Sequence, residues 1–247
     1  ADVDNEDVWN YVPEKLSTKN KKIAIIGAGP SGLTCGYFLS NWGYEVIIYE
    51  AAPQAGGWLR YGIPEFRLPK DIQDAEIECM CTNGMQIEYN KQLGKDIYLQ
   101  NLADSYDAVY LALGAQKAVP MPVKGSDLDG CFLGVDFLKA HALGNSPNLG
   151  LKVAIVGGGN TAVDCARTAI RKGCEVTVIY RRTKAEMPAE ASEIVACENE
   201  GVKFFYLANP IEYIGKGGHL TSVKIEKMRL GEPDKSGRKR PEPTRPY

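Results

Sequence analysis

The sequence predicts an α/β fold built on two βαβ units, and three observations predict it. Ile23 to Ile26 is an unbroken apolar run that ends in glycines, the pattern of a strand covered by helices on both faces. The next stretch, Ser31 to Trp42, has helical length and stops before Gly43, and Glu45 to Tyr49 is again strand-like, stopping at Glu50. Third, the pattern recurs. Shifted by 130 residues, Lys22 to Glu50 aligns with Lys152 to Tyr180 without a gap, and nine of 29 pairs are identical, against roughly two expected by chance. A period that long is no solenoid. It is one plan used twice in one chain.

The remaining segments fall into place around these units. Residues 1–21 are polar, with Trp9, Tyr11 and Val12 as the only anchors, and read as a lead-in arm. Residues 22–149 form the first domain: after its βαβ unit come a proline-rich loop (56–69), a helix over about 71–83 and short β pieces leading to DAVYLALGA, a buried strand that ends in glycine. Residues 150–230 form the second. Its βαβ unit is followed by MPAEASEIVACENEG, a helix with Gly201 as its cap, and by short strands around 203–206 and 222–229. The last 17 residues hold four prolines and eight charges, and 231–247 is expected to be an exposed loop or tail.

Composition sets outer limits. With 247 residues, 44% apolar and 24% charged, the chain can bury two ordinary cores. Its net charge of -2 supplies no basic face for nucleic acid. No stretch approaches the roughly 20 apolar residues that span a bilayer, the first residues are acidic rather than leader-like, and seven cysteines form no regular framework. A cytoplasmic protein, with neither nucleic acid nor membrane as partner, is expected.

The glycine turns carry the chemistry. The first reads Gly27-Ala28-Gly29-Pro30-Ser31-Gly32. In a G-x-G-x-x-G of this kind, the first glycine permits the sharp turn and the second lets a pyrophosphate approach the backbone. The third lets the helix pack on the sheet with its N-terminus aimed at the phosphates. Glu50, 23 residues after Gly27, can accept hydrogen bonds from both hydroxyls of an adenosine ribose; the alternative is a solvated strand end. The second turn, Gly157-Gly158-Gly159-Asn160-Thr161-Ala162, is the G-x-G-x-x-A variant, and the same count lands on Tyr180 followed by Arg181 and Arg182. Guanidinium groups there suit a 2′-phosphate, and so NADP rather than NAD, unless they are merely solvated. The fold class is therefore α/β with two Rossmann-like (three-layer ββα) dinucleotide-binding domains.

Between the units lies GGWLRYGIPEFRLPK. Together with GAGPSGL, YDAVYLALGA, GGGNTAVDCARTAIRKG and YRRTKAEMP, it resembles the glutamate synthase small-subunit family of FAD- and NADPH-dependent oxidoreductases, which includes the corresponding portion of dihydropyrimidine dehydrogenase. The resemblance covers about residues 20–230. It implies an NADPH domain inserted in an FAD domain. FAD would contact Gly27, Ala28, Gly29, Pro30, Ser31, Gly32 and Glu50, with Gly57, Leu59 and Arg67 near the flavin half and Leu93 at the adenine end. NADPH would contact Gly158, Gly159, Asn160 and Thr161, with Arg181, Arg182 and Lys184 on its 2′-phosphate. Relatives in that family carry an N-terminal cysteine-rich domain with iron-sulfur clusters, whereas the first 34 residues here hold no cysteine, so no cluster is expected in this chain. The family's chain also returns to complete the flavin site, and this sequence is expected to be a fragment that stops before that return.

The expected activity is a module that transfers hydride from NADPH to FAD and electrons onward to a partner subunit or iron-sulfur protein. The alternative is a non-catalytic dinucleotide-binding fragment. No catalytic acid or base is required, because the cofactors carry the chemistry. A disulfide reductase similar to thioredoxin reductase is disfavoured, since no C-x-x-C follows the second turn. Cys79 and Cys81 lie about 200° apart on a helix, with Cys79 expected in the core beside Ile72 and Ala75. Cys35 and Cys165 occupy equivalent core-facing positions. His141 and His219 are too few and too dispersed for a metal site and are expected at the surface.

Overall fold

In the computed structural model, which describes residues 13–235 and 237–244, the first predicted strand is β1 (Lys22–Ile26). It leads through α1 (Pro30–Asn41), β2 (Glu45–Tyr49), α2 (Trp58–Tyr61), α3 (Lys70–Cys81), β3 (Gln86–Glu88) and α4 (Leu99–Ser105) to β4 (Ala108–Leu111). These elements make up the first of two units, which divide between Gln116 and Lys117. Its four strands run parallel in the order β3-β2-β1-β4. Alternate side chains of a strand face opposite ways, and β1 uses both faces. Ile23 and Ile25 join Leu33, Val46, Ile48, Ile77 and Met85, while Ala24 and Ile26 join Leu102 on the other side. The anchors Trp9, Tyr11 and Val12 lie outside the described residues.

The second unit holds α5 (Gly134–Ala142), β5 (Lys152–Val156), α6 (Asn160–Arg171), β6 (Glu175–Tyr180), α7 (Ala191–Asn199) and β7 (Lys203–Tyr206), followed by β8 (Ala208–Lys216), β9 (His219–Pro233) and β10 (Lys239–Pro243). Strands β5, β6 and β7 form a parallel sheet in that order, and β8, β9 and β10 an antiparallel one. The duplication holds at the level of register: Lys22 lies opposite Glu45 in one unit, and Lys152 opposite Glu175 in the other. Gly201, at φ +93, follows the last turn of α7 as predicted.

Three expectations need correction. Residues 231–247 are not simply a loop or tail, because β9 runs to Pro233 and pairs with β10; Pro241 and Pro243 are accommodated because β10 is an edge strand with no further neighbour to receive its hydrogen bonds. The division between units falls at 116/117 rather than 149/150, since α5 packs on α6 through Phe137, Leu138 and Cys165 and belongs with the second unit. On α3 the core-facing positions are Gln73, Ile77, Met80 and Cys81, so Cys81 and not Cys79 lines the core of the first unit.

One charged cluster joins α6 to α7. The Arg167 guanidinium, nearly buried, donates to Glu193 and to Glu200 Oε1 at 2.6 Å, and Arg171 reaches the same oxygen at 2.6 Å. Burial pushes the Glu200 carboxyl up, but the Arg167 and Arg171 guanidinium groups outweigh it and hold it below the ordinary glutamate value. A carboxyl depressed in the folded state adds stability above its unfolded pKa, near about 4.3, and that stability is lost as the pH falls through the depressed value. Glu200→Gln is therefore expected to cost about 2 kcal/mol at pH 7 in urea unfolding. The gap to the parent is expected to narrow below pH ~4.

Candidate functional site

In each glycine turn some glycines make contacts that leave no room for a side chain, and one does not. Gly27 sits at φ +104, and a Cβ there would lie 2.4 Å from the Ala112 carbonyl oxygen. On Gly32 a Cβ would lie 1.9 Å from the Gly27 oxygen, so α1 rests directly on the turn that starts it. Gly29 differs. The nearest atom to its hypothetical Cβ is Gly57 Cα at 3.7 Å, so packing does not explain its bareness and the backbone is left open to approach. Pro30 begins α1 and no side chain caps its N-terminus, which leaves the end of the helix suited to an anion. Exposed Ser31 shares a 3.0 Å hydrogen bond with Tyr110.

Glu50 is tied to this turn. Its Oε2 accepts from the Ala28 N–H at 2.6 Å and its Oε1 from the Ala52 N–H at 2.8 Å. A carboxylate oxygen has two lone pairs, so each retains capacity for a hydroxyl donor.

A second loop docks against the first turn. The Gly56 N–H donates to the Ala28 carbonyl at 2.8 Å. Gly57, at φ +55, approaches so closely that a Cβ would lie 2.7 Å from Gly29 Cα. Sequence reasoning singled out Gly57 but missed what holds it. Arg60 is buried and donates to the Ala55 carbonyl and to Asp74. The Tyr61 hydroxyl bonds the Gln54 backbone, and the Lys70 ammonium donates to the Leu59 and Ile63 carbonyls at 2.8 Å each. An arginine between apolar residues in WLRYG was the available signal, because a buried guanidinium must find acceptors. Leu59 is partly exposed on α2, Arg67 is half-buried in the turn after Pro64, and Leu93 packs with the cluster around Ala24 and Ile26.

The second turn repeats the scheme with different neighbours. Gly158 lies under the Tyr180 ring, where a Cβ would come within 2.6 Å of it, whereas Gly159 has open space to 3.9 Å. The Ala189 N–H donates to the Gly158 carbonyl at 3.2 Å, and Asn160 Oδ1 accepts from the Glu190 N–H at 2.9 Å. Thr161 is half-buried beside Gly134.

The three cations proposed from sequence part company. Arg181 is exposed and makes no hydrogen bond or ion pair with the described residues. Arg182 is buried: its Nε donates to the Lys239 carbonyl at 2.7 Å and its Nη2 to Asp234 at 2.8 Å. Arg182, expected beside Arg181 on the 2′-phosphate, thus has its side chain in the interior of the second unit, just past the end of β6. Lys184, in a 3-10 turn over Lys184–Glu186, is paired with Glu198 at 2.7 Å.

Among the described residues no group of histidine, cysteine and carboxylates could hold a metal, and none of the seven cysteines forms a disulfide. Burial pushes the Cys165 thiol up to about 12. His219 is exposed and lies 2.7 Å from Asp129, and His141 is exposed beside Ser146.

A family model described as pyridine nucleotide-disulphide oxidoreductase matches residues 21–234. The chain is 47% identical over 230 residues to the NADP(+)-dependent formate dehydrogenase subunit beta of Moorella thermoacetica, covering 92% of this chain and 32% of that protein. It is 44% identical to the NADPH-Fe(3+) oxidoreductase subunit beta of Geobacter sulfurreducens, covering 97% and 37%. With the NADPH glutamate synthase small chain of Escherichia coli it shares 35% identity, covering 95% and 52%. The chain thus spans between a third and about half of the length of these relatives. Among solved structures, FprA of Mycobacterium tuberculosis in complex with NADPH superimposes with a TM-score of 0.78 at 21% identity, over 91% of this chain and 67% of that one. At that identity the likeness shows the fold.

The contrast among the glycines can be measured. Gly32→Ala is expected to destabilise the first unit by about 2 kcal/mol or more in urea unfolding, since backbone must move to admit the methyl. Gly159→Ala, with open space at its Cβ, is expected to cost no more than about 1 kcal/mol, the ordinary difference at a helix N-cap.

Proposed function

Because the chain belongs to the pyridine nucleotide-disulphide oxidoreductase family, we propose that its first unit holds FAD, its second holds NADPH, and that it passes electrons onward to a partner subunit. The observation that carries this reading is the reversal of charge at equivalent strand ends: Glu50 in one unit, and Tyr180 followed by Arg181 in the other. A carboxylate that accepts from the turn at Ala28 and keeps lone pairs free suits an unphosphorylated ribose, and it would repel a phosphate. An exposed guanidinium suits a 2′-phosphate, which it can grip with two parallel hydrogen bonds.

The residues present fit both groups. On the first unit, Gly29 and Gly57 would leave backbone bare beside a pyrophosphate, the N-terminus of α1 would face its charge, and Ser31 would be held by Tyr110. Leu59 and Arg67 would flank the flavin, and the Leu93 segment the adenine. On the second unit, Gly158, Gly159, Asn160 and Thr161 would line the nucleotide phosphates. The bound pair supplies hydride transfer from nicotinamide to flavin. The chain's own part is to bind, orient and neutralise, and no side chain need exchange a proton.

The partner is proposed as an electron-accepting subunit or an iron-sulfur protein, since relatives named as beta subunits and small chains belong to larger oxidoreductases. A cytoplasmic setting is proposed from seven cysteines that form no disulfide. No described helix is long and apolar enough to cross a membrane.

Two measurements test the reading. Purified protein, or protein given FAD, is expected to absorb near roughly 450 nm and to bleach when NADPH is added under nitrogen. A colourless protein that takes up no FAD would instead indicate a nucleotide-binding scaffold without turnover. Separately, Arg181→Ala is expected to weaken NADPH binding by about 1.5 to 3 kcal/mol while leaving NADH binding unaltered. Equal effects on the two nucleotides would remove the NADPH assignment.

A further inference from the structure

The two arginines after β6 have been put to different uses. The Arg182 side chain is only 6% exposed. Its Nε is held by the Lys239 carbonyl at 2.7 Å and its Nη2 by Asp234 Oδ2 at 2.8 Å, so both partners come from the β9–β10 hairpin. Backbone bonds fasten the same junction. The Leu207 N–H donates to the Arg182 carbonyl at 3.1 Å, the Met228 N–H donates to the Leu207 carbonyl at 2.8 Å, and Leu207 itself stands at φ +54. A guanidinium removed from water needs a counter-charge, and separating such a pair leaves an uncompensated buried charge. Arg182 is thereby committed. Lys184 is also paired, with Glu198, but both groups are at least a third exposed, so that pair is weak and easily exchanged. Arg181 alone of the three cations makes no bond with the described residues.

We propose that Asp234 is a specificity-determining residue of the second unit: by pairing with Arg182 in the interior, it withdraws one of two adjacent cations from the 2′-phosphate and leaves Arg181 to hold it. The inference rests on the reading of the second unit as an NADPH site. Asp234 is a positioning residue, because it acts through Arg182 and does not touch the nucleotide. The pair is close to electrically neutral when intact. Removing both charges together leaves the local charge as it was, whereas removing Asp234 alone adds one uncompensated positive charge next to the phosphate site.

The test is titration of NADPH and of NADH against the full chain, read as the ratio of the two affinities, with thermal unfolding in parallel. Arg182→Gln combined with Asp234→Asn replaces the ion pair by two neutral amides, the glutamine shorter than the arginine, and the ratio is expected to stay within about threefold of the parent. Asp234→Asn alone is expected to raise the ratio about fivefold, the effect of one unit charge at close range in a wet environment. Asp234→Glu is expected to return it to the parent value. NADH affinity is the internal control for folding. A double variant that folds, binds NADH normally and loses more than threefold in the ratio would make Arg182 a direct phosphate ligand and overturn the proposal. So would an Asp234→Asn ratio that stays level or falls. Arg181→Gln distinguishes the two failures: if its ratio collapses while the double variant's also falls, only the role of Asp234 is wrong, and if its ratio is unchanged, the NADPH reading fails and the proposal with it.

Discussion

The first unit depends on one steric constraint, the contact between a helix and the turn that launches it. Gly32 presses on the Gly27 carbonyl with space for hydrogen and nothing larger. That contact sets the direction of α1 and aims its uncapped N-terminus across the turn. It also fixes where the chain emerges after β2, because Glu50 reaches back to the Ala28 N–H. Arg60, Gln54, Tyr61 and Lys70 then hold the Gly56-Gly57 loop against the turn through hydrogen bonds to its backbone and flanks, while Ala55 anchors it in the core. The same constraint is relaxed in the second unit, where Ala162 stands in place of the third glycine and the Tyr180 ring covers Gly158.

How much of this could be read from residues alone depended on whether the information was local. Strand runs ending in glycine, the ungapped match at a 130-residue shift and the charge at the two strand ends are patterns of short contiguous segments, and they predicted the strands β1, β2, β5 and β6 and the equivalence of the two units. The β9–β10 hairpin was hidden because its prolines and charges look like a tail, and only pairing with a long neighbouring strand makes them tolerable at an edge. The choice between Cys79 and Cys81 turned on which face α3 offers the sheet, which Gln73 and Ile77 decide and periodicity over so few apolar residues could not. Arg182 was hidden for the same reason as the hairpin, since its partners stand 52 and 57 residues further on.

Electrostatics distinguishes the two units more sharply than packing does. Their sheets begin alike, yet one strand end carries a carboxylate bonded to backbone N–H groups and the other an exposed guanidinium beside a buried one. In each case the charge stands at the carboxyl end of parallel strands, where α/β sheets of this kind bind their ligands.

The carbonyls of Ala28 and Gly158, which are 130 positions apart, each accept a backbone hydrogen bond from a later segment, from Gly56 and Ala189 respectively. Those donors are 133 positions apart, and so are Trp58 and Ala191, the first residues of the helices that follow. The equivalence of the two halves therefore extends past the last residue at which their sequences can be aligned, and the second half carries three extra residues between strand end and donor. A 3-10 turn of three residues, Lys184–Glu186, lies in that interval, closed by the reciprocal bonds of Thr183 and Glu186. The two copies differ by three residues in this connection while a main-chain bond on its far side is kept, and the longer connection is the one that carries the arginines.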